Sequence, residues 1–518
     1  MKNHKRKKLP RFLVILIILL CILIALPLVL GGLSFIGRVH TSSFTPDGFV
    51  AYATIPNPAT TTSHIMDHRG VDSLLADPVM SAIAPVVTGF RENRLLDNPL
   101  LRLVLNNSLQ AVIYENSQYL LCYDMGLLST IAKAAPMFLS RMDIPDLYYV
   151  TAGNSSRFEL RKDDETEAYA GIHHNYIIVS NNRALFESIQ NGSSGSFEEA
   201  DRNEKNTLLK DYDAKVLINT RILLSGISPE DPEILTLLET LELPRMAEAV
   251  IAVETNKVDI QLSVPISSRA QGLQQILSKQ STAPSIHEYL PLTTQYATTV
   301  SAGSMEELIN LARTVQGPSL DDTLKTAQSS SRFLLGLTLE ELLYSWTGTE
   351  FAAFGLEGRP NPVFAVQISD EQQRRQVFGK LTSSFALTQD DSVVLDGVRI
   401  PNIRVPSFLL SLLKIWNISV PAQFYLVENN FLYFSQSPEN LLDTVRSIRN
   451  NTNLIRQDVW KQLSSGADDR ASVSLFYSLD RSVPFFLRGN NDIQRILKLY
   501  GRGLARIQFR EDTSIISL

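Results

Sequence analysis

The chain has 518 residues, a formal charge of −6, 44% hydrophobic and 20% charged residues; that is long and apolar enough for two to four ordinary domains with buried cores, and it excludes a disordered chain. Six basic residues (Lys2, Lys5, Arg6, Lys7, Lys8 and Arg11) precede Phe12, so the remainder carries −12, which excludes nucleic acid as a partner because phosphate contact needs Lys and Arg. The two cysteines, Cys21 and Cys122, supply neither a disulfide framework nor a thiolate metal cage.

Residues 1–11 read as a cytoplasmic basic tail. Phe12–Ile36 carries no charge and is long enough to cross a bilayer core of about 30 Å as a helix. The basic residues before it, against only Arg38 and His40 before Asp47, orient the N-terminus to the cytoplasm and the bulk of the chain outside it. The run exceeds a signal-peptide core of roughly 7–15 residues, and Gly32-Leu33-Ser34 is a weak cleavage site, so the expectation is an uncleaved signal anchor in the bacterial inner membrane. Pro27 is tolerated there as a kink.

Residues 37–46 read as a spacer. From Phe49 the pattern is globular. Ala51–Pro56 reads as a strand, and Leu109–Gly126 as two strands about a turn at Glu115–Gln118. Leu127–Leu139 reads as an apolar helix. Further strands are expected in LYYVTAG, SRFELRK and Ala168–Ser180, the last a hairpin in which Asn175 suits positive φ. RALFESIQ reads as a short helix, AKVLINTRILL as a strand, and AVIAVETNKVDIQLSVPI as a hairpin.

The pattern then starts again. QYATTV at Gln295–Val300 follows AYATIP. Ser304 and Glu307 form a capping box. Trp346–Leu356 lies on Leu105–Glu115, and Phe424–Val445 on the earlier hairpin and helix. SVSLFYSL and the closing LARIQFREDTSIISL also find earlier counterparts. Six blocks recur in one order about 250 residues apart, too long a period for a solenoid, whose units span roughly 20–50 residues. The expected fold is therefore α+β: a single transmembrane helix, then two similar, mostly antiparallel domains at 47–268 and 290–518, joined by a connector at 269–289, with helices on one face of each sheet.

The segments LEELLYSWTGTEFAAFGLEG and PVFAVQISD, after the opening strand QYATTV, resemble an uncharacterised family of bacterial membrane-anchored extracytoplasmic proteins, classed as a domain of unknown function. Leu339–Asp370 carries the clearest likeness. Leu105–Asp124 looks like a degenerate copy in which Asn106-Asn107 replaces Thr347-Gly348. The resemblance implies a location and a fold type, with no activity and no catalytic residue.

Several constellations have residue types that can carry chemistry. His64 and His68, with Asp67 between, have metal-ligand spacing on a helix, but no third ligand accompanies them. Ser411 and Lys414 match a Ser-x-x-Lys spacing without its companion motifs; Lys325-Thr326-Ala327 precedes the serine. Asp163, Asp164, Glu165 and Glu167 read as a solvated turn, His173-His174 as a hairpin turn, and Cys122 as a buried hydrophobe. No catalytic residue, metal ligand or cofactor site is assigned. The expected binding surface is an apolar groove walled by Leu127, Leu128, Ile131 and Phe138 and by Phe408, Leu409, Leu412 and Trp416. The reading is a non-enzymatic envelope protein that binds a protein partner or a lipophilic ligand. A hydrolase with a site assembled from distant residues, or a structural spacer, are the alternatives.

Overall fold

The computed structural model describes residues 38–76, 106–133, 146–152, 155–162, 165–192, 211–222, 245–265, 283–316, 318–383, 392–404, 422–465, 470–478, 501–509 and 513–517, and the single positions 88, 102, 105 and 136. The chain divides into two units. The first comprises residues 1–67, 85–226 and 250–253, and the second residues 68–84, 227–249 and 254–518.

The first unit is an antiparallel sheet. Its strands are β1 (Ala51–Ile55), β2 (Leu109–Ile113), β3 (Tyr119–Asp124), β4 (Leu147–Ala152), β5 (Ser155–Lys162), β6 (Glu165–His173), β7 (Tyr176–Ser180) and β8 (Ala214–Asn219). They lie side by side in the order β8–β1–β2–β3–β7–β6–β5–β4. Directly opposed residues share a face. One row therefore runs Leu217, Tyr52, Val112, Leu120, Ser180, Tyr169, Glu159, Tyr148. Tyr52, Val112, Leu120 and Ser180 in that row are buried. Helix α1 (Pro58–Asp67) follows β1, and helix α2 (Arg183–Gln190) follows β7. α2 starts because the Asn182 carboxamide oxygen accepts the Leu185 N–H at 3.0 Å, satisfying an orphan donor of the first turn. It buries Phe186 and Ile189.

Residues expected to be a spacer pack onto this unit. Thr41, Phe44 and Thr45 are buried. The Phe44 ring meets His173 and Tyr176 edge-on at 4.9 and 5.6 Å. Arg38 donates to both carboxylate oxygens of Asp124, and the Val39 N–H donates to Asn175 Oδ1 at 3.1 Å. That last bond explains a difference at the hairpin. The positive φ falls on His174 (52°), while Asn175 spends its side chain on Val39 and Asp124.

Strand β9 (Met246–Val253) crosses the division between units. The second unit holds β10 (Val258–Pro265), β11 (Thr294–Ser301), β12 (Thr347–Leu356), β13 (Val363–Ile368), a separate hairpin of β14 (Val393–Leu395) and β15 (Val398–Ile400), then β16 (Asn402–Arg404), β17 (Ala422–Glu428), β18 (Phe431–Ser435), β19 (Val473–Tyr477), β20 (Gly503–Phe509) and β21 (Thr513–Ser517). The sheet runs β10–β21–β20–β19–β11–β12–β13–β18–β17–β16, antiparallel at every step. β10 groups with this unit because Gln261–Pro265 pairs with Thr513–Ser517.

Helices cover both faces of the second sheet, where one face was expected. Leu432 and Tyr433 are neighbours on β18, and strand alternation sends them to opposite sides. Tyr433 joins Phe354, Phe431, Leu441 of α6 (Pro438–Asn450) and Trp460 of α7 (Asp458–Ser464). Leu432 joins Ile309 of α3 (Met305–Gln316), Leu324 of α4 (Pro318–Leu335), Val377 of α5 (Glu371–Ser383), and Leu342 in a π-helical turn. Ser304 caps α3 as expected: the Glu307 N–H donates to Ser304 Oγ at 3.1 Å.

The expected fold class is corrected in one respect. Among the described residues no helix is long and apolar enough to cross a membrane. The longest, α4, has 18 residues but carries Asp321, Asp322, Lys325 and Arg332, charges that are costly in hydrocarbon. Phe12–Ile36 lies outside the described residues. The fold class is α+β with antiparallel sheets, and among the described residues it carries no spanning helix.

Candidate functional site

In the first unit a cleft of about 680 Å³ opens between the C-terminal end of α2 and strands β5 and β6. Its size falls in the range of small-molecule sites, about 300–1,000 Å³. Its apolar lining residues are Pro136, Tyr149, Phe158 and Ile172. Lys133, Ser156, Arg157, His174, Glu187, Gln190 and Asn191 supply its polar lining, and Gly171 completes it. The Tyr149 and Phe158 rings pack at 5.1 Å between centroids.

The helix is held over the sheet by charge and by close approach. Arg157, Glu159 and Arg161 alternate along β5 and so project to one side. Arg157 is 6% exposed; its Nε donates to Glu159 Oε1 at 2.9 Å and its NH1 group to Glu187 Oε1 at 3.2 Å. Arg161 donates to Glu159 Oε2 at 2.6 Å, and Arg183 to Glu187 at 2.8 Å. Burial pushes the Glu159 carboxyl up, but the hydrogen bonds and charges of Arg161 and Arg157 outweigh it and hold the group below its ordinary range. Beneath the helix, a Cβ on Gly171 would stand 2.9 Å from Phe186 Cζ and 2.9 Å from Gln190 Nε2. Gln190 Nε2 donates to the Ile172 carbonyl at 3.2 Å. Next in sequence to the lining residue His174, the His173 imidazole is pushed down to about 4 by burial and then by His174.

The second unit holds the same hairpin register with different residues. Tyr169 pairs with Ser180 in one unit and Phe424 with Ser435 in the other; Glu159 pairs with Tyr169, and Asn402 with Phe424. Leu426 therefore stands at the register position of Gly171, Leu442 at that of Glu187, and Val445 at that of Gln190. Leu426 and Leu442 belong to the apolar cluster of the second unit, and Val445 is buried. The place that is polar and open in the first unit is apolar and filled in the second.

Other sequence candidates have bland roles or lie outside the described residues. His64 Nδ1 meets Asp213 Oδ1 at 2.8 Å, and the other oxygen of that carboxylate accepts the Val253 N–H. His68 Nδ1 meets the Glu254 carbonyl at 2.6 Å. Among the described residues no three His, Cys, Asp or Glu side chains cluster for a metal. Cys122 is buried on β3, and burial pushes its thiol up. Glu165 and Glu167 lie on β6, and Asp163 and Asp164 lie outside the described residues. Lys325 and Thr326 sit on α4, where Thr326 Oγ1 donates to the Asp322 carbonyl. Of the expected groove, Leu128 is 39% exposed at the end of a short helical turn. Leu127 and Ile131 are described in backbone only. Phe138, Phe408, Leu409, Leu412 and Trp416, and Ser411 with Lys414, lie outside the described residues.

No family model matches the chain. No curated protein matches it in sequence. Among solved structures, it is similar to two crystal forms of TP0453. Form III is 11% identical and form I 13%; each match covers 45% of this chain, and 81% and 80% of TP0453, at a TM-score of 0.25. A likeness at that level carries no functional weight.

Proposed function

We propose that the chain is a non-enzymatic binding protein of the bacterial envelope, and that the cleft of the first unit takes a lipophilic ligand. One observation carries this reading: the cleft exists because Gly171 and Glu187 stand where the second unit has Leu426 and Leu442. A packing gap of no consequence would be cheap to fill, as the second unit's residues fill it. The lining suits holding over reacting. Its carboxylate, Glu187, is tied by Arg157 and Arg183, and Ser156 has no hydrogen-bonded base among the described residues. The basic-then-apolar run before Gly37 supports the envelope location.

The test is extraction of the purified chain with organic solvent, followed by mass spectrometry. The wild-type protein should yield a stoichiometric lipid, and Gly171→Leu should yield much less. An empty wild-type extract, with no binding on re-addition of lipid, would overturn the reading.

A further inference from the structure

We propose that the chain self-associates through the edge of its first unit, β4 of one copy pairing antiparallel with β4 of a second copy. Among the described residues β4 pairs with β5 alone, so its other side is a sheet edge. Natural edge strands are blunted by shortness, charge, proline or a bulge. β16, the last strand of the second sheet, has three residues and ends on Arg404. β4 lacks every one of these devices. Its six residues, LYYVTA, include no charge and no proline, and its register with β5 is unbroken. Nor is it covered: Tyr148 is 49% exposed and Tyr149 39%.

The hydrogen-bond phase of β4 makes it its own complement. The Arg161 N–H donates to the Asp146 carbonyl at 2.9 Å. The bonded pairs with β5 therefore fall at Asp146, Tyr148 and Val150, and the N–H and C=O groups of Leu147, Tyr149 and Thr151 point off the edge. A two-fold axis at Tyr149 sets Tyr149 against Tyr149 of the second copy and Leu147 against its Thr151, so every outward group of the strand finds a mate. An axis at Val150 would leave Leu147 outside the pairing. An axis between residues would set outward groups against groups that β5 already uses. The side chains agree with the backbone. A two-fold normal to the sheet keeps each face on its own side. On the face away from α2, one row runs Leu121, Val179, Ala170, Phe158, Tyr149 without a charge. At the axis it continues into the same row of the second copy. On the other face Tyr148, with the Arg161 guanidinium 4.9 Å from its ring centroid, falls opposite Val150. A foreign strand could supply the hydrogen bonds, but a second copy matches bonds and apolar row together.

The experiment is sedimentation of the purified whole chain over a range of concentrations, with the contact located by cross-linking. The wild-type protein should pass from monomer to dimer. Tyr149→Lys sets two like charges against each other at the axis and should weaken the dimer at least tenfold, with circular dichroism unchanged. In a Cys21→Ser background, a short bismaleimide should capture Tyr149→Cys as a dimer, because opposed Cα atoms of a bonded pair stand about 5.5 Å apart. Leu147→Cys should escape capture, because about 13 Å of strand separates it from the Leu147→Cys site of the second copy. A wild-type chain that stays monomeric would overturn the proposal. So would a dimer that survives Tyr149→Lys in a folded protein, or equal capture through Leu147→Cys and Tyr149→Cys, since either places the contact on another surface. None of these outcomes depends on a ligand, so the pairing of β4 stands or falls apart from the binding reading.

Discussion

Gly171 lies so close under Phe186 that a Cβ placed on it would stand 2.9 Å from the ring's Cζ. Phe186 is 2% exposed and has little freedom to yield. Gly171→Ala should therefore destabilise the first unit by about 1–3 kcal/mol, the usual cost of overpacking a tight core. A lower urea midpoint with unchanged secondary structure would match. An unchanged midpoint would mean that α2 slides freely on the sheet.

Arg157 and Glu159 are both buried, and removing one member strands the other's charge. Arg157→Met should lower the unfolding free energy by about 3 kcal/mol, the low end for breaking a buried pair, because Arg161 still reaches Glu159. Adding Glu159→Gln to Arg157→Met removes the stranded carboxylate and should recover part of the loss. Denaturant titration of both variants measures the difference; a double variant worse than the single one would refute the pairing of roles.

The imidazole of His173 is held down to about 4, against an ordinary value of 6.5, by burial and then by His174. Between those values the unfolded chain binds more protons than the folded one, so stability rises with pH. The contribution is full above pH 6.5 and is lost as pH falls towards 4. His287, pushed down to about 3 by burial and by Arg506, adds a slope of the same sign over a wider window. His173→Phe should reduce the pH dependence of the urea midpoint between pH 6.5 and 4 without abolishing it. An unaltered slope would show that His173 is not held neutral.

Cys122 is fully buried between β2 and β7, and its thiol is pushed up. It should resist iodoacetamide in the folded protein and react once the chain is denatured, as peptide mass mapping would reveal. Ready alkylation under native conditions would mean that β3 is accessible from an edge.

Much of the fold was legible because it rests on local patterns. QYATTV lies within β11, Ser304 caps α3, and Asn429 and Asn430 both take positive φ at their hairpin. The helices on the second face of the second sheet were not legible, because burial of a strand on both sides, as at Leu432 and Tyr433, erases the alternation that marks a solvent face. Nor was the packed segment at Thr41–Pro46, whose polar and small residues look like a linker until Phe44 is seen against His173. The cleft was hidden for a different reason. Lys133, Arg157, Gly171 and Glu187 are ordinary residues far apart in sequence, joined only by strand register and one helix. The available signal was the mismatch between the two hairpins, where glycine in YAGIHH stands against leucine in FYLVEN.

Strand β10 meets β21 about 250 residues later in the chain, Gln261 against Ser517. At a synthesis rate of 5–20 residues per second, that is roughly 10–50 s during which one edge of β10 has been made and its mate has not. An unpaired strand edge is a template for wrong partners. The nascent second unit therefore passes through a long adolescence in which a chaperone, or a slow ribosome, has something to protect.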